Sequence, residues 1–356
     1  MNWILFLLMT LLMTYGIYAI YSATWMREQS FWTSQLLWVG VCFPMFFVVS
    51  LIDYRWIRVG AVPLYIISLL GLVAVMLFGE TRYGAKSWLD LGFMNFQPSQ
   101  LAIIAGMMTL SVYLEASRNS MPILRIMACG AIVAAPWVMI LLEPDLGSCI
   151  VWMPVLLAML FIGGIPKRWL ISMLILGVAI VPLVVHFVLK PYQYTRITTF
   201  LNPDLDPLND GWNINQSLIA IGSGGFMGKG FKAPNTQNEL GFLPATIVHN
   251  DFIFSVMGEQ HGFVGGILLL GALMLILLVC LYVALNAQDD LGRLMAIGIS
   301  ILLFTHMFMN IGMTISVTPI TGLPLPLISY GGSFLLITLF SFGILQSIWI
   351  HRKVAR

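Results

Sequence analysis

The residues best placed to do chemistry are acids at apolar boundaries. His249-Asn250-Asp251-Phe252-Ile253-Phe254 sets a carboxylate where an apolar run begins. Asp251 can be read as a helix N-cap, a position that Asn and Asp favour. It can also be read as a general base, because partial desolvation raises a carboxyl pKa toward a useful value. Glu259 lies eight residues further on, about two helical turns, so it can share the face of Asp251. An acid that deep in an apolar segment is a functional candidate.

Asp145 stands beside Glu143 in the break Glu143-Pro144-Asp145-Leu146-Gly147. It reads either as the N-cap of the next helix or as one of two carboxylates able to hold a divalent cation. The run Gly222-Ser223-Gly224-Gly225-Phe226-Met227-Gly228-Lys229-Gly230 suggests a phosphate loop, but Ser223 and Gly230 occupy the positions where a Walker motif needs Gly and Ser or Thr. Two readings stay open here: a tight turn needing positive φ, or a backbone nest for a lipid pyrophosphate with Lys229 as counter-charge. Thr318 to Ser333 is apolar yet broken by three prolines and three glycines before Ser333, so no straight helix runs through it. It reads as a kinked packing segment or as a re-entrant wall of a polar cavity. His306 and Asn310, one turn apart, could line that cavity or simply satisfy each other's neighbouring helices.

These groups need a frame, and composition dictates which kind. Of 356 residues, 59% are apolar and 9% charged, against roughly 25% charged in a soluble domain. Such a surface calls for a bilayer rather than water. A net charge of +2 gives no reason to expect nucleic acid as a partner. Cys42, Cys129, Cys149 and Cys280 lie in apolar runs without CxxC spacing and read as buried thiols. The first apolar run has no basic leader or A-x-A site and reads as a retained span.

Apolar stretches long enough to span fall at 3–23, 35–52, 58–79, 99–115, 125–142, 148–164, 168–189, 252–284, 291–314 and 329–350. The expected fold is therefore an all-α polytopic membrane protein of about ten helices. The stretch at 252–284 exceeds one straight span. Arg55, Arg58, Arg118, Arg125, Lys167, Arg168, Arg293, Arg352, Lys353 and Arg356 gather on one side, against Arg27, Arg82 and Lys86 on the other. Ten against three places both termini in the cytoplasm. The long loop at 190–250, with the loops at 80–98 and 315–328, then faces the exterior. A loop of that length, carrying Tyr192, Tyr194, Phe200, Trp212 and Phe242, is expected to be ordered and functional.

Residue chemistry fits both a transporter and an enzyme acting on a lipid-linked substrate; the scarcity of charges in the expected spans and the lack of an obvious repeat favour the enzyme. Longer motifs add a resemblance. They comprise Gly84-Ala85-Lys86-Ser87-Trp88 with Gln97-Pro98-Ser99-Gln100, Glu143 to Gly147, Lys190-Pro191-Tyr192-Gln193 through Arg196 to Phe200-Leu201-Asn202-Pro203, and Asp206-Pro207-Leu208. They continue with Gln216-Ser217, Ile219 to Gly225, Phe242-Leu243-Pro244, His249 to Phe254, and the stretch closing in Ser329-Tyr330-Gly331-Gly332-Ser333. In this order they resemble the SEDS family of peptidoglycan polymerases, and within it the elongation branch more than the division branch.

The resemblance implies a glycosyltransferase that joins lipid II into β-1,4 glycan strands, one continuous membrane domain over 1–356, and an active site facing the exterior of the bacterial inner membrane. It implies Asp251 as the essential catalytic acid. Arg196, Lys229, Lys86, Gln216, Ser217, His249, Glu259, Asp145 and Ser329 become candidate substrate-binding residues. A divalent cation, Mg or Mn, could share neutralisation of the leaving pyrophosphate with Arg196 or Lys229. Expected partners are a class B penicillin-binding protein, other elongation-complex proteins and membrane lipid. The competing expectation is a flippase for a polyprenyl-linked precursor. The chain departs from the family pattern at Ser87, where Arg is usual, at Gln100 and Ile103, where Glu and Lys are usual, and at Gln260, where a second acid usually follows Glu259.

Overall fold

The computed structural model describes residues 1–26, 30–82, 85–90, 92, 95–187 and 191–352. Arg27, Gly84, Lys190, Lys353 and Arg356, used above for orientation or motif matching, lie outside the described residues.

Ten long helices account for the ten apolar stretches. The first seven are α1 (Trp3–Thr24), α2 (Phe31–Leu51), α3 (Ile57–Phe78), α4 (Pro98–Ala116), α5 (Pro122–Leu142), α6 (Leu146–Ile162) and α7 (Lys167–Phe187). The loop that follows contributes α8 (Pro191–Leu201) and α9 (Asp210–Ser223), and the bundle closes with α10 (Ile253–Leu285), α11 (Asp290–Thr314) and α12 (Gly332–Ile350). Among the described residues nine helices have the length and hydropathy of membrane spans, and α6, at 17 residues, is a shorter apolar helix. The interior prolines at 44, 63, 136, 154 and 182 leave each helix continuous, which neighbouring helices make tolerable in a bilayer. All four cysteines are buried free thiols.

Polar caps mark helix starts that hydropathy leaves vague. Asn2 accepts from Leu5 N at 3.1 Å, Asp145 from Ser148 N at 3.0 Å and Asp289 from Gly292 N at 2.9 Å. The cap reading of Asp145 is thus correct, and α6 begins at Leu146 rather than 148. At one end of the bundle Arg58 joins Glu115 and Asp289, at 2.6 and 3.0 Å. This places the 51–58, 115–125 and 286–293 turns together, as the charge distribution requires.

One helix boundary shifts, and two regions show detail beyond the expected spans. In the 80–98 loop, β1 (Glu80–Arg82), β2 (Ala85–Asp90) and β3 (Asn95–Phe96) form a small antiparallel sheet with Glu80 opposite Trp88 and Leu89 opposite Phe96. Three strands of two to six residues carry too little periodicity to stand out beside ten spans. The last helix starts at Gly332, not 329, because residues 315–331 keep an irregular path. Most of that path is buried, including Ile320, Leu323, Leu325, Leu327 and Ile328. Finally, α10 is broken at Gly262, whose φ of 62° and ψ of −159° interrupt the helix. A straight helix of its 33 residues would measure ~50 Å, against a hydrocarbon core of ~30 Å. Residues 263–285 suffice to span, and 253–261 form an upper segment leading to Asp251.

The described part of the long loop, from 191, folds into helices and turns. Besides α8 and α9 it contains a 3-10 turn at Pro203–Leu205 and a chain of turns from 224 to 252.

Candidate active site

A cavity of about 400 Å³ opens where the hairpin, the α5–α6 break, α8, the start of α10 and the 315–331 segment converge. Asp251, Arg196 and Asp145 all line it. Three residues from three distant parts of the chain thus form its charged side.

Asp251 is held by its backbone. Its N–H donates to the Ile247 carbonyl at 2.8 Å. Three successive carbonyls are then tied down: His249 O accepts from Tyr330 N at 3.0 Å, Asn250 O from Ser329 Oγ at 2.5 Å, and Asp251 O from Asn310 Nδ2 at 3.0 Å. Asn310 also donates to Leu323 O at 2.8 Å, binding the irregular segment to α11. The carboxylate itself caps nothing. The first residue of the helix boundary is Phe252, and no side chain accepts there. The carboxylate also accepts no hydrogen bond among the described residues, and it would touch a Cβ placed at Gly322 at 3.6 Å. Burial pushes its pKa up and the Arg196 charge pulls it back, leaving it raised to about 6. A carboxylate there is mostly ionised near neutrality yet basic enough to accept a proton.

Arg196, on α8, reaches the cavity while pairing with Asp210 at the start of α9, Nε to Oδ2 3.6 Å. Asp145 is occupied: Oδ1 caps α6, and Oδ2 accepts from Ser148 Oγ at 2.7 Å, Gln97 Nε2 at 2.9 Å and Ser99 Oγ at 3.4 Å. Beside it, Glu143 is buried, and both its oxygens lack hydrogen-bond partners among the described residues. Burial first, and the Asp145 charge second, raise its pKa to about 8, so it is chiefly a neutral acid at pH 7.

The other candidates lie off the cavity lining. His249 is buried and stacks on Phe31 with centroids 3.9 Å apart, edge-on to Tyr330 at 5.4 Å. With Ser329 it fixes the Asp251 turn. Ser217 donates to Thr314 O at 2.6 Å and meets Ser255 Oγ at 2.7 Å, joining α9, α10 and α11. Gln216 is buried on the same helix. Lys86 donates to Met76 O at 2.9 Å, closing the end of α3, while its neighbours Ser87 and Trp88 line the cavity.

Glu259 and Lys229 form an ion pair at 2.7 Å, with the Glu259 side chain 1% exposed. Glu259 also accepts from Gln237 N at 2.8 and 3.0 Å and from Ser223 Oγ at 3.2 Å. The glycine run does not form an open nest. Gly228 N donates to Gly224 O at 2.8 Å, Lys229 N to Glu259 O at 2.9 Å and Gly230 N to Gln260 O at 3.0 Å, while Phe263 N and Val264 N return bonds to Gly225 O and Phe226 O. The run is a clasp around the break in α10. Its positive φ values at Gly225, Gly228 and Gly230 suit glycine, and a Cβ on Gly228 would collide with the Gln260 carbonyl.

Ser87, Trp88 and Gln100, assigned no binding role from sequence, line the cavity. Their motifs were visible, but a neutral side chain carries no electrostatic signal in a linear sequence. Among the described residues no three His, Cys, Asp or Glu side chains cluster as metal ligands.

Comparison with known proteins agrees with this architecture. The FtsW/RodA/SpoVE family, described as cell cycle proteins, matches residues 1–354. The peptidoglycan glycosyltransferase MrdB of Escherichia coli K12 is 40% identical over 291 residues, 82% of this chain and 78% of that protein. The peptidoglycan glycosyltransferase RodA of Treponema pallidum is 32% identical over 98% of this chain and 97% of its own length. Among solved structures, a chain from a peptidoglycan synthase complex that coordinates polymerization and crosslinking superposes with a TM-score of 0.83 at 30% identity, covering 99% of this chain and 98% of that one. The rod shape determining protein RodA of Thermus thermophilus, solved as such and as an aspartate-to-alanine mutant, gives TM-scores of 0.71 and 0.73 at 26% identity, over 99% of this chain and 98–99% of those chains. The chain belongs to the FtsW/RodA/SpoVE family of polytopic membrane proteins.

Proposed function

We propose that this protein is a peptidoglycan glycosyltransferase that polymerises lipid II outside the cytoplasmic membrane during cell elongation. The observation that carries the reading is the Asp251 carboxylate, fixed by its backbone, free of internal hydrogen-bond donors and set in a cavity beside Arg196. The homologues named MrdB and RodA supply the substrate class.

The donor's anomeric carbon carries an α-linked pyrophosphate and the product bond is β-1,4, so one in-line displacement inverts the centre. Asp251 takes the proton from the acceptor 4-hydroxyl as that oxygen attacks the anomeric carbon. The bond from that carbon to the pyrophosphate oxygen breaks, and undecaprenyl pyrophosphate leaves with the bonding pair. Arg196 offers a fixed cation toward the developing charge. Asp251 then gives its proton to water. Lys229, already bound to Glu259, is poorly placed to help.

A divalent cation fits only with substrate oxygens completing its shell, since among the described residues Asp251 and Asp145 are the two carboxylates lining the cavity. Bound in that way it would add positive charge at the pyrophosphate. The positive-inside distribution supports a cytoplasmic location for the ends and an exterior site in the bacterial inner membrane. A class B penicillin-binding protein is the expected crosslinking partner, by analogy with the synthase complex.

Purified protein in detergent should convert lipid II into glycan polymer, and Asp251→Asn should abolish this without loss of fold. A flippase would give no polymer in detergent. A folded Asp251→Asn variant that polymerises at the parental rate would remove the base assignment.

A further inference from the structure

Besides Asp251, Asp145 and Arg196, the cavity has uncharged polar lining residues: Ser34, Ser87, Asn95, Gln97, Gln100 and Ser333. Two of these are already engaged. Gln97 donates to Asp145, and Ser333 donates to the Asn95 carbonyl at 2.6 Å. Gln100 and Ser87 are not. Gln100 is 5% exposed and Ser87 2%, yet among the described residues neither side chain has a hydrogen-bond partner, and both line the cavity. Gln100 sits in the first turn of α4, after Pro98 at the helix start, so its backbone is fixed.

An amide without a protein partner that opens on a cavity is paired by water or by a ligand, and a ligand that displaces the water without pairing with it loses roughly 1–3 kcal/mol. A glutamine amide presents a donor and an acceptor side by side. A carboxylate can only accept and an ammonium can only donate, so neither matches both halves. An acetamido group does, with one N–H and one carbonyl. We infer that Gln100, with Ser87, forms a neutral subsite that reads the acetamido group of an N-acetylated sugar in the lipid-linked substrate, while the charged lining residues meet the pyrophosphate. The inference rests on the polymerase reading and adds the residue that selects the sugar. Gln100 is a specificity residue; the proton is handled by Asp251.

The test uses the full chain in detergent carrying Asp251→Asn, so that binding is measured without turnover. Two probes are compared: lipid II, and a lipid II analogue in which hydroxyl replaces both acetamido groups. The Asp251→Asn protein should bind lipid II on the order of tenfold more tightly than the analogue. Adding Gln100→Met, which keeps length but has no amide, should weaken lipid II binding about tenfold and leave analogue binding within about twofold. Adding Ser87→Ala instead should produce a smaller shift, about threefold, in the same sense. Equal weakening toward both probes, or no weakening, overturns the subsite while leaving the polymerase reading intact. No binding of either probe by the Asp251→Asn protein, with a normal melting transition, overturns both. If Gln100→Met does not fold, Ser87→Ala and Gln100→Asn decide by the same ratio of affinities.

Discussion

Two acids eight residues apart on one stretch of chain meet opposite fates. Glu259 is sealed inside, neutralised by Lys229 and satisfied by Gln237 N and Ser223. Asp251 faces a cavity, has its own N–H and three successive carbonyls tied, and has its carboxylate left over. A carboxylate that the fold consumes holds structure; one that the fold positions and then leaves unpaired is available for reaction. The difference lies in the number of internal donors and in access to the cavity.

Exchanging the roles should break this comparison most visibly at Asp251. Asp251→Asn should lower the polymerisation rate by roughly 10²- to 10⁴-fold, whereas Glu259→Gln in properly folded protein should leave the turnover per folded molecule within a few-fold. Rates normalised to folded protein by gel filtration would show this, and equal losses would erase the distinction. Stability should report the reverse. Glu259→Ala strands Lys229 and the Gln237 N–H and should cost about 2–4 kcal/mol, read as a lowered Tm in detergent, with the clasp at Gly228 opened to protease.

Next comes pH. Because Asp251 must be ionised to act and its pKa is raised to about 6, the rate should fall with rising acidity below about pH 6 and level off above it. Its raised pKa also carries a stability sign. The folded state holds a proton that the unfolded state releases near the ordinary carboxylate value, so folding loses stability as pH climbs from about 4 through 6. Asp251→Asn should therefore raise Tm at pH 8, by the equivalent of about 1–3 kcal/mol, and have no such effect near pH 4. A variant equally stabilised at both pH values would point to packing instead. The smallest effect is expected at Lys86. Lys86→Met removes one bond to Met76 O and should shift stability by about 1 kcal/mol or less, leaving the rate nearly unchanged in the same polymer assay.

What the sequence disclosed and what it withheld follow the range over which each signal acts. Spans are legible because a bilayer selects on some twenty consecutive residues, and all ten apolar stretches became helices. Asp145 as a cap was legible because its partner, Ser148, is three residues away. The roles of Lys229 and Glu259 were not, since the two meet across thirty residues and the decisive Gln237 N–H is twenty-two away. His249 and Ser329 looked like ligand contacts because they flank Asp251 and the proline segment. Their partners, Phe31 and Leu325 N with Asn250 O, are visible only once the bundle is assembled. Asp251 itself stood out only at a hydropathy boundary, and the family resemblance raised it above the capping alternative.

Consider finally the three anchored carbonyls at 249, 250 and 251. They fasten the acid to the irregular segment before α12 and, through Asn310, to α11. An acid fastened in this way has no freedom to follow a lengthening strand. After each bond is made, it is the glycan that must be drawn onward past a stationary carboxylate, so the stroke of polymerisation belongs to the product and its lipid anchor.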